Sequence, residues 1–246
     1  MALKAAPEDQ ALLLDLQSLD TKLQQLARRA QKLPEHEMLE SLAARRAELE
    51  RTRAEQFGAV EDGRLELTRT EADVAVVEAR IARDAQRLAT SSSVKDVAAL
   101  EQELDALARR KSDLEDIELA VMESLESREA ALAATDAEIA ALAASIADAT
   151  TARDAELASI EGERSHAGAN RQTVAGKVPA ELLALYEKQR ERYGVGASHL
   201  RGGVSSASGV ALNATEMNRI RGAAPDDVIL CPDSNAILVR TGESGL

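Results

Sequence analysis

Residues 12–33 read LLLDLQSLDTKLQQLARRAQKL. Leu12, Leu16, Leu19, Leu23, Leu26, Ala30 and Leu33 step by 4, 3, 4, 3, 4 and 3 residues. Steps that alternate between three and four put all seven side chains on one stripe of a helix. A stripe this narrow belongs to a helix packed on a partner helix. Pro34 follows at once. It lacks a backbone N–H and disfavours the α conformation at Leu33, so a break or kink is expected there.

The pattern resumes beyond the proline. Val60, Leu67, Val74, Ile81 and Leu88 are seven apart, with Val77 between them. Gly63 falls on the same stripe and weakens the helix by ~1 kcal/mol relative to Ala. The run Ala89-Thr90-Ser91-Ser92-Ser93 reads as a turn and N-cap, because hydroxyl side chains compete for backbone hydrogen bonds. A further helix then carries Val97, Leu104, Leu125, Leu132, Ile139, Ile146 and Ile160 in one register. Leu100, Leu107, Leu114, Val121 and Leu142 fill the companion register, and Lys111, Glu118 and Arg128 interrupt the stripe. The pattern fades near Gly162, Gly168 and Asn170. The Ala-rich stretch 130–149 suggests close helix approach.

The arms on either side of the serines are nearly equal in length, and at ~1.5 Å per residue each would extend roughly 115 Å. Equal arms favour an antiparallel hairpin over a parallel dimer; separate amphipathic helices in a compact bundle are the alternative. The expected architecture is an all-α coiled-coil hairpin over residues 1–176, with its turn near 89–95 and a break near 34. A small C-terminal β module with a linking helix follows over 177–246. In that module, Lys177-Val178-Pro179-Ala180 opens a helix, with Pro179 in its first turn, and Tyr193-Gly194-Val195-Gly196 ends it. Asn213-Ala214-Thr215-Glu216 has the spacing of a capping box before a short helix through Ile220. Val228–Leu230 and Ala236–Val239 read as strands. The expected order is knuckle, strand, helix, strand, knuckle, strand.

Composition agrees with this class. The 246 residues include 30 Lys+Arg against 43 Asp+Glu, a formal net charge of -13, and aromatics are 1%. Scarce aromatics disfavour a β-sandwich or an α/β enzyme. The acidic balance argues against a general phosphate-binding surface. The single cysteine, Cys231, excludes an intrachain disulfide. The first residues lack the basic and apolar regions of a secretory signal. No uncharged apolar run approaches ~18 residues, so no membrane span is expected, and the expected location is the cytoplasm.

Ser205-Ser206-Ala207-Ser208-Gly209 has the form of a C-x-x-C-G knuckle with serines at the ligand positions. Cys231-Pro232-Asp233-Ser234-Asn235 has the form of a C-P-x-C-G knuckle with one cysteine kept. Gly209 and Asn235 suit the left-handed backbone that such turns need. With these residues, the chain resembles the bacterial family of long coiled-coil hairpins ending in a C4-type zinc ribbon. Val94-Lys95-Asp96, LEQELDALARRKSDLED at 100–116, VPAELLALYE at 178–187, the segment from Arg219 to Ile229, and Ala236–Arg240 carry the resemblance. The resemblance implies four ligand positions, Ser205, Ser208, Cys231 and Ser234. Only Cys231 is a competent zinc ligand, so the metal site is expected to be lost and no cofactor is expected. The resemblance also implies regulatory, secretion-associated or RNA-associated partners.

No nucleotide-binding, zincin or nucleophile-elbow motif is present. His36, His166 and His199 lie far apart in sequence, and Cys231 has no motif supplying a base. No enzymatic activity is expected. The expected function is that of an adaptor or chaperone-like protein that binds protein partners through its hairpin tip and its ribbon-like end. At the tip, the candidate partner-binding residues are Lys95, Asp96, Arg109, Arg110 and Lys111; a solvated, salt-bridged face is the alternative. The competing function is binding of RNA or DNA. It would use Lys188, Arg190, Arg192, Arg201, Arg219 and Arg221, with Tyr186 and Tyr193 stacking on bases or packing on the module. The sequence leaves the oligomeric state open.

Overall fold

The computed structural model describes residues 3–246. Five helices and a small sheet follow one another: α1 (Pro7–Gln31), α2 (Pro34–Thr90), α3 (Val94–Ala175), α4 (Ala180–Tyr193), β1 (Ala197–Arg201), β2 (Val204–Ser205), α5 (Ala214–Gly222), β3 (Ile229–Leu230) and β4 (Ile237–Val239). The fold is a long helical coiled-coil hairpin with a small C-terminal sheet. Contacts divide the chain into two units. The first joins residues 1–34 with 152–246, and the second is 35–151.

In the second unit, α2 and α3 run antiparallel. Arg80 pairs with Glu103, Lys111 with Glu78, Arg64 with Glu129, Arg53 with Asp136, and Arg45 with Glu138. As the number falls on α2 it rises on α3, as a fold-back near residue 92 requires. Thr90 is the last residue of α2, and the Ser93 hydroxyl accepts from the Asp96 N–H at 3.4 Å, capping α3. The seam follows the heptads. On α2 its buried seats are Leu49, Val60, Gly63, Thr70 and Asp84; on α3 they include Leu100, Leu114, Thr135 and Ala149.

Two irregularities of the sequence meet here. A Cβ on Gly63 would lie 3.2 Å from Arg128 Nη1 and 3.2 Å from Leu125 Cδ1. Arg128 lies across the vacant seat and donates through Nη1 to the Ala59 carbonyl at 2.9 Å. The glycine that weakens α2 thus makes room for the arginine that interrupts α3. The Asp84 side chain is 8% exposed, with Arg87 at 3.3 Å and Arg80 at 3.7 Å as its ion partners.

In the first unit, α1 packs on the end of α3. Leu26, Leu33 and Ile160 form one buried cluster. The chain breaks between Gln31 and Pro34, and Pro34 becomes the first residue of α2, where a missing N–H costs nothing. The start of α1 departs from the sequence reading. Leu13, Leu16 and Asp20 are buried, while Leu12 and Leu19 are only partly so. The stripe shifts by one residue because this end of α1 faces the sheet and α4 as well as α3.

Helix α3 runs on past Gly162 and Gly168 to Ala175, although the pattern fades there. A Cβ on either glycine would meet nothing within 4 Å, so both lie on an open face and cost only helix propensity. Pro179 is the N-cap of α4 and not a first-turn residue, and Gly194 closes that helix at φ 81°.

The sheet order is β2-β1-β4-β3, with β1 and β4 parallel and the other pairs antiparallel. The sequence reading placed no strand before the first knuckle. Strand β1 lies there, its Ala197, Ser198 and Leu200 buried against β4 and α1. The reading missed it because its alternating residues are small or polar. Two cores flank the sheet. One holds Leu13, Leu16, Leu182, Tyr186 and Ile237; the other holds Leu200, Ile220, Ile229, Cys231 and Leu238.

By length and composition, α3 contains a window of mean hydropathy 1.5 that is apolar enough to cross a membrane. No uncharged apolar run in it approaches ~18 residues, because Asp136 and Glu138 interrupt the Ala-rich stretch. In the Ala-rich stretch 130–149, Asp136 and Glu138 pair with Arg53 and Arg45 of α2.

Candidate functional site

Three regions bear the candidate residues, and a fourth emerges from the packing. The first is the hairpin tip. Lys95 and Asp96 lie in the first turn of α3, beside Val94, which is 86% exposed. Arg109, Arg110 and Lys111 lie roughly 20–24 Å further along the helix, at ~1.5 Å per residue. The five residues therefore do not form one cluster. Lys111 binds Glu78 at 2.6 Å and Glu115 at 3.4 Å, and these carboxylates hold its pKa above the ordinary lysine value. Arg109 and Arg110 are exposed and, like Lys95, form no ion pair among the described residues.

The second region is the pair of serine-bearing turns, which are built alike. The Gly209 N–H donates to the Ser205 carbonyl at 2.8 Å, as the Asn235 N–H does to that of Cys231 at 3.0 Å. The Ser205 N–H donates to the Val210 carbonyl at 3.2 Å, as the Cys231 N–H does to that of Ala236 at 2.9 Å. The hydroxyls of Ser208 and Ser234 accept from the N–H two residues on, at 3.3 and 3.4 Å. Gly209 sits at φ 68° and Asn235, the one non-glycine residue at positive φ among the described residues, at φ 57°.

Hydroxyls fill the space between the turns. Ser198 Oγ lies 2.7 Å from Ser205 Oγ, and the Cys231 thiol donates to Ser205 Oγ at 3.4 Å. Burial pushes the Cys231 thiol up. Hydrogen bonds with the Ser205 and Ser234 hydroxyls and the backbone N–H groups of Ser234 and Asp233 outweigh burial and leave its pKa below the ordinary cysteine value. Zinc takes thiolate, imidazole or carboxylate, and three hydroxyls with one thiol are not such a set. Among the described residues, no three His, Cys, Asp or Glu side chains come together to hold a metal. His199 Nε2 instead lies 2.7 Å from Thr241 Oγ1.

The third region holds the six basic residues, and most of them have partners. Arg201 pairs with Glu243 at 2.6 Å and Arg219 with Glu216 at 3.8 Å. Arg221 donates to the Gly245 carbonyl at 3.5 Å. Arg192 stacks on the Tyr193 ring at 5.3 Å. Lys188 is exposed, while Arg190 turns inward.

Arg190 belongs to a polar network that the sequence reading missed. Asp20 accepts two hydrogen bonds from Arg171, at 2.6 and 3.1 Å, and one from the Tyr186 hydroxyl at 2.7 Å. Glu187 binds Arg171 at 2.6 Å and Arg190 at 2.8 Å. Gln17 Oε1 accepts from the Gly196 and Ala197 N–H groups at 2.7 and 3.2 Å. Asp20 is 4% exposed and Tyr186 fully buried. Burial, with Asp20 as acceptor, raises the Tyr186 pKa far above the ordinary phenol value, so it stays a donor. Tyr186 therefore does not stack on bases. A Cβ on Gly196 would fall 2.5 Å from the Tyr186 ring, so only glycine fits there. Arg240 ties the module's loop, donating to the carbonyls of Ala223, Ala224, Pro225 and Asp227.

Comparison with known proteins places this architecture. The profile of the CT398-like coiled coil hairpin domain matches residues 16–194. The chain belongs to the CT398-like coiled-coil hairpin family. It is 34% identical over 239 residues to the uncharacterized protein Rv2229c of Mycobacterium tuberculosis, covering 97% of this chain and 98% of that one. A structure from Mycobacterium smegmatis is 33% identical with a TM-score of 0.86, covering 97% of this chain and all of that one. CT398 from Chlamydia trachomatis shares the fold at 18% identity and a TM-score of 0.65, over 94% of this chain and 97% of that chain. No enzymatic family is among these relatives.

Proposed function

We propose that this family member is a non-enzymatic adaptor that binds protein partners through the hairpin tip and the ribbon-like module. The observation that carries the reading is the charge at the tip end of α3. Lys95, Arg109 and Arg110 form no ion pair among the described residues, although the surrounding unit is rich in carboxylates. Val94 beside Lys95 is 86% exposed, so one apolar and one cationic side chain stand together at the turn, with Arg109 and Arg110 further along the same helix. The ribbon-like module is read as a zinc ribbon that has kept its knuckle turns and lost its ligands, with Ser198, Ser205 and Cys231 bonded where a metal would sit. The cytoplasm is the proposed location.

The test replaces Lys95, Arg109 and Arg110 with Glu in the full chain and captures partners after in-cell crosslinking, with and without nuclease. The reading expects a dominant nuclease-resistant protein partner that is lost with the triple variant. Capture that the variant leaves unchanged would reject the tip. Nucleic-acid binding is the second reading, favoured by the exposed Lys188 and by the Arg192–Tyr193 pair. It expects partners that vanish with nuclease, and affinity that falls steeply with salt.

A further inference from the structure

We propose that the flank of α3 around Leu119 and Met122 is a docking groove for a basic amphipathic helix of a partner protein. The heptad seats here are Glu118, Val121 and Leu125, all partly buried in the seam. Leu119 and Met122 lie one position to the side, on a stripe of their own, and are 59% and 48% exposed. The hairpin does not need apolar side chains at these positions, which normally carry charge in a two-helix coil. With Leu67 and Leu125 behind them they line a groove of about 320 Å³. Methionine adapts its shape to different partners, which suits a surface that receives another helix.

The rim states the charge of the occupant. Glu123, Glu126 and Glu129 border the groove. Glu129 is held by Arg64 at 2.6 Å, but Glu123 and Glu126 form no ion pair among the described residues. Around them, residues 35–151 hold 27 Asp and Glu against 14 Lys and Arg. An apolar floor beneath unpaired carboxylates fits a helix with an apolar stripe flanked by Lys and Arg. From Leu119 to Glu129 the groove follows about 15 Å of α3, room for two to three turns of such a helix with anchors at i, i+3 or i+4, and i+7. A second copy docked on the same face would set the two carboxylate rims against each other, which disfavours it. This inference shares with the adaptor reading only that the partner is a protein. It uses none of the tip residues, so failure of either leaves the other standing.

The experiment measures binding of two fluorescent peptides to the full chain by anisotropy. One is a model helix of Leu and Lys with its leucines at helical spacing. The other keeps every Lys and replaces every Leu with Gln. The first should bind at least about tenfold more tightly than the second. Leu119→Gln with Met122→Gln should weaken the first by at least about tenfold. Glu123→Gln with Glu126→Gln should weaken it several-fold and flatten its salt dependence. The exposed pair Glu101→Gln with Asp105→Gln should change it by less than about twofold. All the substituted side chains are exposed, so circular dichroism and Tm should match the wild type. Equal binding of the two peptides overturns the proposal, as does binding that Leu119→Gln with Met122→Gln leaves unchanged. A dimer of the free protein that dissociates when the same two residues are replaced would also overturn it, in favour of a second copy as occupant.

Discussion

Residues 35–151 hold 27 acidic and 14 basic side chains, while the remaining residues hold 16 of each. One unit therefore carries the whole net charge of -13 and the other is neutral. They also differ in what fills their interiors. The neutral unit has Leu13, Leu16, Tyr186, Leu200, Ile237 and Leu238 fully buried, around a hydrogen-bonded Asp20. The acidic unit is a two-helix seam whose seats include Gly63, Thr70, Asp84 and Thr135. A seam of two helices leaves most of each helix in water, so its polar seats remain near solvent. In the neutral unit, α1, the end of α3, α4 and the sheet close over the same core, and every buried polar group there needs a partner. The difference separates a unit with a closed core from a two-helix seam that leaves most of its surface in water.

The largest effect belongs to the neutral unit. Asp20→Ala leaves Arg171 and the Tyr186 hydroxyl without their acceptor. Removing one member of a buried charged network costs about 3–5 kcal/mol. Urea unfolding should show this loss, and a loss below about 1 kcal/mol would mean that the network does not hold the unit together. Tyr186→Phe removes only the hydroxyl and should cost about 1–2 kcal/mol.

The serine-bearing turns offer a gain of function. Restoring cysteine at 205, 208 and 234 together should give a protein that binds one zinc per chain and melts at higher temperature, because the turn hydrogen bonds are already in place. Metal analysis and calorimetry read both effects. A triple variant that folds but takes no zinc would show that the two turns do not converge as ribbon knuckles.

A smaller effect tests the acidic seam. Gly63→Ala gains about 1 kcal/mol of helix propensity but brings a Cβ to 3.2 Å from Arg128 and Leu125, so its net effect should be near zero. In an Arg128→Ala background the same change should stabilise by about 1 kcal/mol. A double-mutant cycle measures the coupling, and additive effects would break the link between the two residues.

The smallest effect concerns acid. Burial raises Glu187, but hydrogen bonds from Arg171 and Arg190 outweigh it and leave its pKa below the ordinary carboxylate value. A carboxyl depressed in the folded state stabilises above its unfolded pKa and loses that contribution as pH falls through the folded one. Stability should therefore be flat near neutrality and fall below about pH 4.5, with Glu187→Gln showing a shallower fall in the same unfolding series.

The hairpin was legible because its heptads are written residue by residue. The break at Pro34 and the capped turn at Ser93 follow from local chemistry alone. Gly63 and Arg128 were each visible as an irregularity. Their meeting was not, since it depends on the antiparallel register. Nothing local to the leucine stripe marks Asp20, because its partners Arg171, Tyr186 and Glu187 lie far along the chain. Arg190 was read as a surface cation for the same reason. Strand β1 was hidden by small and polar residues that are buried only through tertiary packing, by parallel pairing with β4 and against α1. The candidate tip residues were legible as charges. Only the fold shows that Lys111 is bound to Glu78 while Arg109 and Arg110 remain exposed.

The central claim is that partners are proteins and meet the acidic unit at its tip. A photo-crosslinking amino acid at position 94, and in a second strain at position 221, tests it in living cells with and without nuclease treatment of the lysate. The account predicts a protein adduct at 94 that survives nuclease and disappears when Lys95, Arg109 and Arg110 are replaced by Glu. No adduct at 94, together with a nuclease-sensitive adduct at 221, would contradict it and assign function to the neutral unit and nucleic acid.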